Sequence, residues 1–470
     1  MKKGLGYIAL LATDLLTIAL SLELAILIRK GFFPYITDFP EFTASISTFW
    51  WVFPIWISFF AHEGLLTKKF SFWDEIKQLW RATFFSTVAV FSILFLGKMG
   101  EKYSRAVIVL MGIISLFIFP TVRIYAKMLF KRIGLLNSKV LILGAGKTGR
   151  LVAKALREEQ NLGYLVAGFL DDDPEKSGKR IDGIKVHKGI DKAERYIGRG
   201  GINTVVIAIP GASREKLNET INSLQHKTEN LLFIPDILGI PVLGTKLQHF
   251  FREQAFALEL QNNLAKPFNR FIKRCFDFTV GGFLLLLSFV PTVIAGLLIR
   301  LDSPGPAIFS QYRVGRKGKL FRCYKFRTMF KDADEKLEEL INGNEDIRRE
   351  WEQSWKIRED PRITRIGKFL RKTSLDELPQ LINILRGEMS LVGPRPYLPD
   401  EVNRVGENMN TCFSVLPGIT GLWQVSGRSN TGYDYRIALD SWYVRNWNLW
   451  LDFVILFKTA KVVLKREGAW

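Results

Sequence analysis

A bundle of apolar membrane helices, then an α/β domain, then a mostly helical α/β domain entered through a re-entrant membrane helix: this 470-residue chain predicts that order. Three observations point to it. Four apolar stretches fill the first 125 residues, a strand, a glycine-rich turn and a helix follow at 139–156, and the uncharged stretch Phe278–Ile299 carries basic residues on both flanks. The length alone calls for more than one domain.

The apolar stretches are Leu5–Ile28, Phe42–Ala61, Ala82–Gly97 and Ala106–Val122. Phe42–Ala61 runs 20 residues without a charge, long enough to cross the hydrocarbon. We read a four-helix transmembrane bundle over 1–125. Asp14 and Glu23 in the first stretch argue against a cleaved signal peptide, and a bundle-facing polar contact accounts for such an acid. Lys2, Lys3, the Lys68–Arg81 loop and Arg123 to Lys139 hold most of the loop cations, so these segments are expected on the cytoplasmic side.

The segment KVLILGAGKTGRLVAKAL places Gly144, Gly146 and Gly149 between a strand and a helix, and acids at Asp171 to Asp173 follow a second apolar run. That is the setting of a dinucleotide-type phosphate turn. A further strand at Thr204–Pro210 supports an α/β Rossmann-like domain over 126–250, closed by a linker at 251–265. Glycine spacing alone says little about a bound ligand, so this candidate nucleotide loop is read as structural or regulatory.

Phe278–Ile299 is long enough to span, yet Lys266, Arg270, Lys273 and Arg274 precede it while Arg300, Arg313, Arg316, Lys317 and Lys319 follow. Positive flanks ask for both ends to be cytoplasmic. A re-entrant helix satisfies that, with Pro291 supplying the break and Ser288 covering a freed carbonyl. The rest of 266–470 reads as a compact domain. Its closing segment, Trp447–Arg466, is interrupted by Asp452, Lys458 and Lys461 and reads as an interfacial or packed helix.

A net charge of +20 calls for an anionic partner. Mean hydropathy of +0.09 with 13% aromatic residues favours a membrane surface and phosphorylated substrates over nucleic acid. Three scattered cysteines, Cys275, Cys323 and Cys412, show no metal-ligand spacing.

The chemistry concentrates in Arg371 to Pro396, RKTSLDELPQLINILRGEMSLVGPRP. Asp376 and Glu377 open a helix-like apolar stripe for which Gly387 is a C-cap. On pattern alone, Ser374-x-x-Glu377 is a capping box; Pro379, which prefers the first helical position, would instead leave both acids just outside the helix. Either way basic residues flank the pair. A carboxylate attacking a phosphate ester meets repulsion of about 4 kcal/mol at about 4 Å and an effective dielectric of about 20, roughly three decades of rate. Lys325, Arg327, Arg371, Arg395 and Arg428 are the candidate cations that cancel it.

SLDELPQ and MSLVGPRP, together with KFRTM (Lys325 to Met329), DPRIT (Asp360 to Thr364), PGITGLWQVSGR (Pro417 to Arg428) and DSWYVRNW (Asp440 to Trp447), resemble the bacterial sugar transferases, the polyprenyl-phosphate hexose-1-phosphate transferases. The resemblance covers about the last 200 residues. It implies that Asp376 attacks a UDP-hexose, galactose before glucose, to release UMP and form an aspartyl-phosphosugar that passes to undecaprenyl phosphate. Glu377 is implied as a Mg2+ ligand, with Lys325, Arg327, Arg371, Arg395, Gln424 and Arg428 around the substrate phosphates and nucleotide. Inner-membrane lipid is the surrounding partner, nucleic acid is not one, and a homodimer is admitted. The implied product starts a surface polysaccharide such as O-antigen, capsule or exopolysaccharide. The family shows Ser-Pro at the bend, whereas here Val290 precedes Pro291.

Two rivals come from other classes. A membrane-anchored NAD-dependent nucleotide-sugar epimerase or dehydratase needs a Tyr-x-x-x-Lys pair, and none of the 12 tyrosines has a lysine four residues on. A non-enzymatic scaffold for polysaccharide assembly leaves the Asp376–Glu377 pair unexplained.

Overall fold

A computed structural model describes residues 2–32, 35, 45–99, 103–235, 246–250, 255–259, 263–343, 345–354, 357, 360–426 and 432–465. The chain folds as two compact units, Met1–Leu238 and Gly239–Trp470.

The first unit begins with α1 (Lys2–Gly31), a 3-10 turn at Ile46–Phe49, α2 (Val52–His62), α3 (Phe72–Leu96) and α4 (Arg105–Arg132). Among the described residues, α1, α3, α4 and one bent helix pair later in the chain are long and apolar enough to cross a membrane. The single span expected at Phe42–Ala61 does not form. Residues 42–44 lie outside the described set, and the remainder splits into the 3-10 turn and the 11-residue α2. Pro54 explains the split, because it is tolerated only in the opening turn of a helix. The stretch still runs alongside α4. Phe49 and Trp51 meet Tyr103 at ring distances of 5.3 and 5.6 Å, Phe60 meets Phe119 at 4.9 Å, and the Leu65 carbonyl accepts from Arg123. The expected four spans are thus three span-length helices and one short, broken element beside them.

Helices α3 and α4 exceed their sequence bounds because each gains charged turns that an apolar-run criterion excludes. The boundary expected at 125 therefore falls inside α4. Asp14 faces the bundle, as expected: Arg123 donates to both its carboxylate oxygens at 2.9 and 2.7 Å and to Glu75 at 2.9 Å. Lys127 and Asn161 complete the Glu75 shell at 2.6 Å each. Pro120 frees the Leu116 carbonyl of α4, and the Trp80 indole of α3 takes it at 2.9 Å. At Gly112, a Cβ would come 2.6 Å from Thr87 Oγ1, so this glycine lets α3 and α4 approach closely.

Next come β1 (Ser138–Leu143), α5 (Lys147–Glu158), β2 (Tyr164–Asp171), β3 (Arg180–Ile181), β4 (Ile184–Lys188), α6 (Ala193–Gly200), β5 (Thr204–Ile207), α7 (Arg214–Leu224) and β6 (Asn230–Phe233). The sheet order is β3-β4-β2-β1-β5-β6, all parallel except β3. Val140 to Leu143 are buried on both faces of β1, which is why that strand reads as a continuous apolar run. Val140 and Ile142 join a core with Ala153 of α5, while Leu141 and Leu143 join one with Ile197 and Leu224. The alternation of one strand thereby feeds two layers of helices.

The second unit opens with the hairpin β7 (Lys246–Phe250) and β8 (Ala255–Glu259), then α8 (Pro267–Leu287) and α9 (Phe289–Asp302). The helix pair is bent by 58°. The break falls at Ser288, and Pro291 sits in the opening turn of α9, where its missing N–H costs least. Ser288 Oγ donates to Leu285 O at 3.3 Å, two residues before Leu287, whose carbonyl Pro291 frees. Leu286 and Leu287 at the bend are 78% and 67% exposed. Then follow the antiparallel strands β9 (Ile308–Val314) and β10 (Leu320–Phe326), α10 (Ala333–Gly343), α11 (Glu345–Ser354), α12 (Arg365–Thr373), a 3-10 turn at Leu375–Glu377, and α13 (Gln380–Arg386). The chain closes through β11 (Ser390–Val392), α14 (Val402–Val405), α15 (Met409–Cys412), β12 (Gly418–Thr420), α16 (Leu422–Val425), α17 (Tyr433–Arg445) and α18 (Leu449–Lys465). Helix α18 is packed through Asp452, which accepts from Lys273, Tyr443 and Trp447 at 2.8, 2.7 and 3.0 Å; Phe457 and Leu464 stay exposed.

Candidate active site

Ser374 ends α12 in the left-handed region, at φ 56°, and turns the chain into the 3-10 turn. The capping-box reading of Ser374-x-x-Glu377 is therefore corrected: the Ser374 side chain caps nothing, and both acids lie between two helices. Leu375 and Leu378 bury themselves against Ala295, Ile299 and Leu370, and the two residues between them carry the carboxylates. Gly387 closes α13 at φ 84°, as its position predicts.

Strand β10 delivers Lys325, whose Nζ sits 2.7 Å from Glu377 Oε1. Burial works against the lysine charge, but Glu377 and Asp376 overcome it and hold the ammonium above the usual lysine range. Arg371, in the last turn of α12, donates from Nε to Thr328 Oγ1 at 2.9 Å. Its guanidinium acts on Asp376 through space. Burial and the neighbouring Glu377 push the Asp376 carboxyl up to about 6, and Lys325 and Arg371 oppose that rise.

Arg395 lies on the loop after β11, where its N–H donates to Asp440 Oδ2 at 3.3 Å and Tyr397 Oη donates to the same oxygen at 2.8 Å. Burial raises the Asp440 carboxyl to about 7. Sequence reasoning treated Arg313 only as a flanking charge. The hairpin register sets it opposite Phe321, two residues from the Cys323 pair, and its Nη1 donates to Pro396 O at 3.2 Å. Burial and then Arg395 lower its guanidinium below the usual range, so two cations stand together near Lys325 and Glu377. Strand alternation could have flagged Arg313, but only with the pairing known.

Arg327 departs from its expected role at the phosphates. Its Nη2 donates to Ser303 O and Oγ at 2.6 and 2.8 Å and its Nη1 to Pro304 O at 2.9 Å. Those carbonyls lie in the turn just past α9, where buried acceptors need donors, so Arg327 holds that turn and not the carboxylate pair. Gln424 donates to Ile419 O at 3.2 Å within its own loop, and Arg428 lies outside the described residues. No group of three His, Cys, Asp or Glu stands together among the described residues.

A second site candidate lies at the glycine turn, where a cleft of about 700 Å3 is lined by Gly144, Lys147, Thr148, Asp172, Lys176 and Lys216, among others. Gly144 has φ 100° and faces the Ala208 carbonyl, Gly149 abuts Gly144 O, and Gly146 fronts open space. The acids are committed locally. Asp171 accepts from Ala145 N at 2.7 Å, and Asp172 accepts from Ile190 N and Lys216 Nζ at 2.8 and 2.6 Å.

Comparison with known proteins places these features in context. The family model described as bacterial sugar transferase matches residues 268–466, and one described as CoA-binding domain matches 69–235. A Salmonella typhimurium relative named undecaprenyl-phosphate galactose phosphotransferase is 39% identical over 408 residues, covering 86% of this chain and 84% of that one. An Erwinia amylovora UDP-galactose-lipid carrier transferase is 36% identical over 98% of this chain and 97% of its own. The exopolysaccharide production protein ExoY of Rhizobium meliloti is 41% identical over 46% of this chain but 95% of its own length.

Proposed function

The chain belongs to the bacterial sugar transferase family, and from that premise we propose that it transfers galactose-1-phosphate from UDP-galactose to undecaprenyl phosphate through Asp376. The observation that carries this reading is the Asp376–Glu377 turn, buried enough to raise one carboxyl to about 6 and set beside Lys325 and Arg371.

An Asp376 carboxylate oxygen attacks the sugar-bearing phosphorus, and the bond from that phosphorus to the bridging oxygen breaks as UMP leaves. An oxygen of undecaprenyl phosphate then attacks the same phosphorus. The Asp376–phosphorus bond breaks, the carboxylate is regenerated, and the product is a polyprenyl-diphospho-galactose. Lys325, Arg371 and Arg395 offset the charge that crowds the phosphorus in both steps. Glu377 is the residue that would hold Mg2+. Its partly exposed carboxylate offers hard oxygen atoms of the kind that ion takes beside water and substrate phosphates. When bound, the ion supplies charge neutralisation at the diphosphate.

In this reading the bent pair α8–α9 is re-entrant, supported by its 58° bend, exposed apolar apex and basic flanks. The catalytic face then lies on the cytoplasmic side of the inner membrane, where UDP-sugars are found. Single cysteines near Asn269 and Gly318 should both label only after the membrane is opened; labelling of the Gly318 site from outside intact cells would sink that topology. The sheet is Rossmann-like and nucleotide-binding in type, with a structural or regulatory role; its domain starts after α4, at Ser138, and the catalytic domain follows from 266. Two features disfavour the redox rival: the missing Tyr-x-x-x-Lys and the bond of Asp171 to the glycine turn.

The deciding experiment incubates the full chain in membranes with undecaprenyl phosphate and a panel of radiolabelled UDP-hexoses. Galactose label is expected in lipid and, in a quench without lipid acceptor, on protein. Label that reaches lipid without ever appearing on protein would rule out the covalent route, and transfer of glucose alone would overturn the sugar assignment.

A further inference from the structure

The bent helix pair touches the catalytic segment at three places. Before the turn, Asp302, the last residue of α9, accepts through Oδ2 from the Ile366 N–H of α12 at 3.1 Å. Thr364 accepts from Gly367 N at 2.9 Å, so together they satisfy two orphan donors of that helix. Beneath the turn, Ala295 and Ile299 of α9 pack with Leu375 and Leu378, the residues on either side of Asp376 and Glu377. Beyond the turn, Arg274 of α8 donates to Ile384 O and Leu385 O, the closing carbonyls of α13, and lies against Gly387. A Cβ at Gly281 of α8 would stand 3.2 Å from Ile384, so the first helix is also closely seated there.

The charges match the helix ends they cap. A carboxylate sits at the N-terminus of α12 and a guanidinium at the C-terminus of α13, each on the favourable end of the dipole. The two caps belong to different arms of the bend: Arg274 to the arm before Ser288, Asp302 to the arm after it. Any change of the 58° angle must therefore move α12 relative to α13, and the 3-10 turn that joins them must follow. Packed interiors respond to such shifts by repacking and not by smooth stretching.

We infer that Arg274 and Asp302 are positioning residues, which couple the bend of the membrane helix pair to the placement of Asp376 and Glu377. The inference rests on the transfer reading given above. It makes the bend part of the catalytic geometry as well as a membrane anchor: α8–α9 sets the aim of the nucleophile.

The test uses the full chain in native membranes, with Asp302→Ala, Arg274→Leu and the double variant compared by kinetics against UDP-sugar. Expected is a loss of kcat of about tenfold for each single variant, with KM changed by less than about twofold. Rates are referred to the fraction of chain that takes up label from UDP-sugar without lipid acceptor. A variant that merely unfolds some molecules lowers that fraction and leaves the rate per labelled chain in place, whereas a displaced turn lowers the rate itself. Should the alanine and leucine variants fail to insert, Asp302→Asn and Arg274→Lys, weaker caps of similar shape, are read in the same way. Variants that insert with a wild-type rate per labelled chain overturn the inference. Absence of UDP-sugar-dependent transfer by the wild-type chain would instead count against the proposed function, so the two failures are distinguishable.

Discussion

The bundle and the Asp376–Glu377 turn hold the same four groups: two carboxylates, one arginine and one lysine. In the bundle they are Asp14, Glu75, Arg123 and Lys127; at the turn they are Asp376, Glu377, Arg371 and Lys325. The arrangement differs in where the arginine donates. Arg123 reaches Asp14 with two nitrogens, Glu75 with a third and the Leu65 carbonyl as well, so the network closes on itself. Arg371 donates to Thr328 and acts on Asp376 only through space. The same groups give a closed network where the arginine bonds both carboxylates, and a carboxylate held through space where the arginine is aimed elsewhere. Composition does not separate these outcomes; donor geometry does.

Three substitutions break or sharpen that contrast. Asp376→Asn should lower transfer by about three decades or more, since it removes the nucleophile and keeps the shape. It should also stabilise the protein at pH 8. The folded carboxyl is raised to about 6 from an ordinary value near 4, so the native state holds the extra proton across that window. Stability accordingly falls as pH rises through about 4 to 6, and the asparagine variant, which never ionises, avoids the loss. A gain of about 1–2 kcal/mol at pH 8 and none at pH 4, read from melting curves, checks the sign. Wild-type kcat/KM should fall with an acid limb near 6; a flat profile down to pH 5 would show that Asp376 is not the group that must be charged.

Arg123→Met is the matching cut in the bundle. It leaves Asp14 and Glu75 buried without their main partner, which costs about 3–5 kcal/mol. The expected result is poor insertion or a lowered melting temperature; the molecules that do fold should keep kcat. Near-native melting would mean that the closed network contributes little.

Glu377→Gln should have the smallest effect, about tenfold on activity, with part of it recovered by raising Mg2+. Activity unresponsive to the ion would argue against Glu377 as its ligand, and an unchanged kcat would show that the Lys325 pair is dispensable.

What the sequence displayed was periodicity and local chemistry. The glycine turn, the strand alternation and the carboxylate pair between basic residues stand in the structure where the pattern sets them. What it hid was set by contacts distant in sequence. The left-handed Ser374 follows from packing Leu375 and Leu378 onto α9, so S-x-x-E looked like a cap without being one. Arg327 was claimed by the Ser303 and Pro304 carbonyl oxygens just past α9, and the β9–β10 register set Arg313 beside the loop of Arg395. The second apolar stretch had the length of a span. Pro54 and its packing along α4 decided otherwise.

Burial of Asp376 has one more consequence, for the direction of flow. In the proposed route the group that attacks in the first half-reaction departs in the second, so its basicity enters both barriers with opposite sign. A carboxylate near 4 would depart readily but attack weakly. Raised to about 6, it matches a phosphate monoester, whose second ionisation also lies near 6. The rise toward that range makes Asp376 a stronger nucleophile and a slower leaving group, so UMP can compete with it for the sugar-bearing phosphorus. Net synthesis would depend on what removes UMP and the lipid product, and membranes charged with labelled product and excess UMP should return label to UDP-sugar.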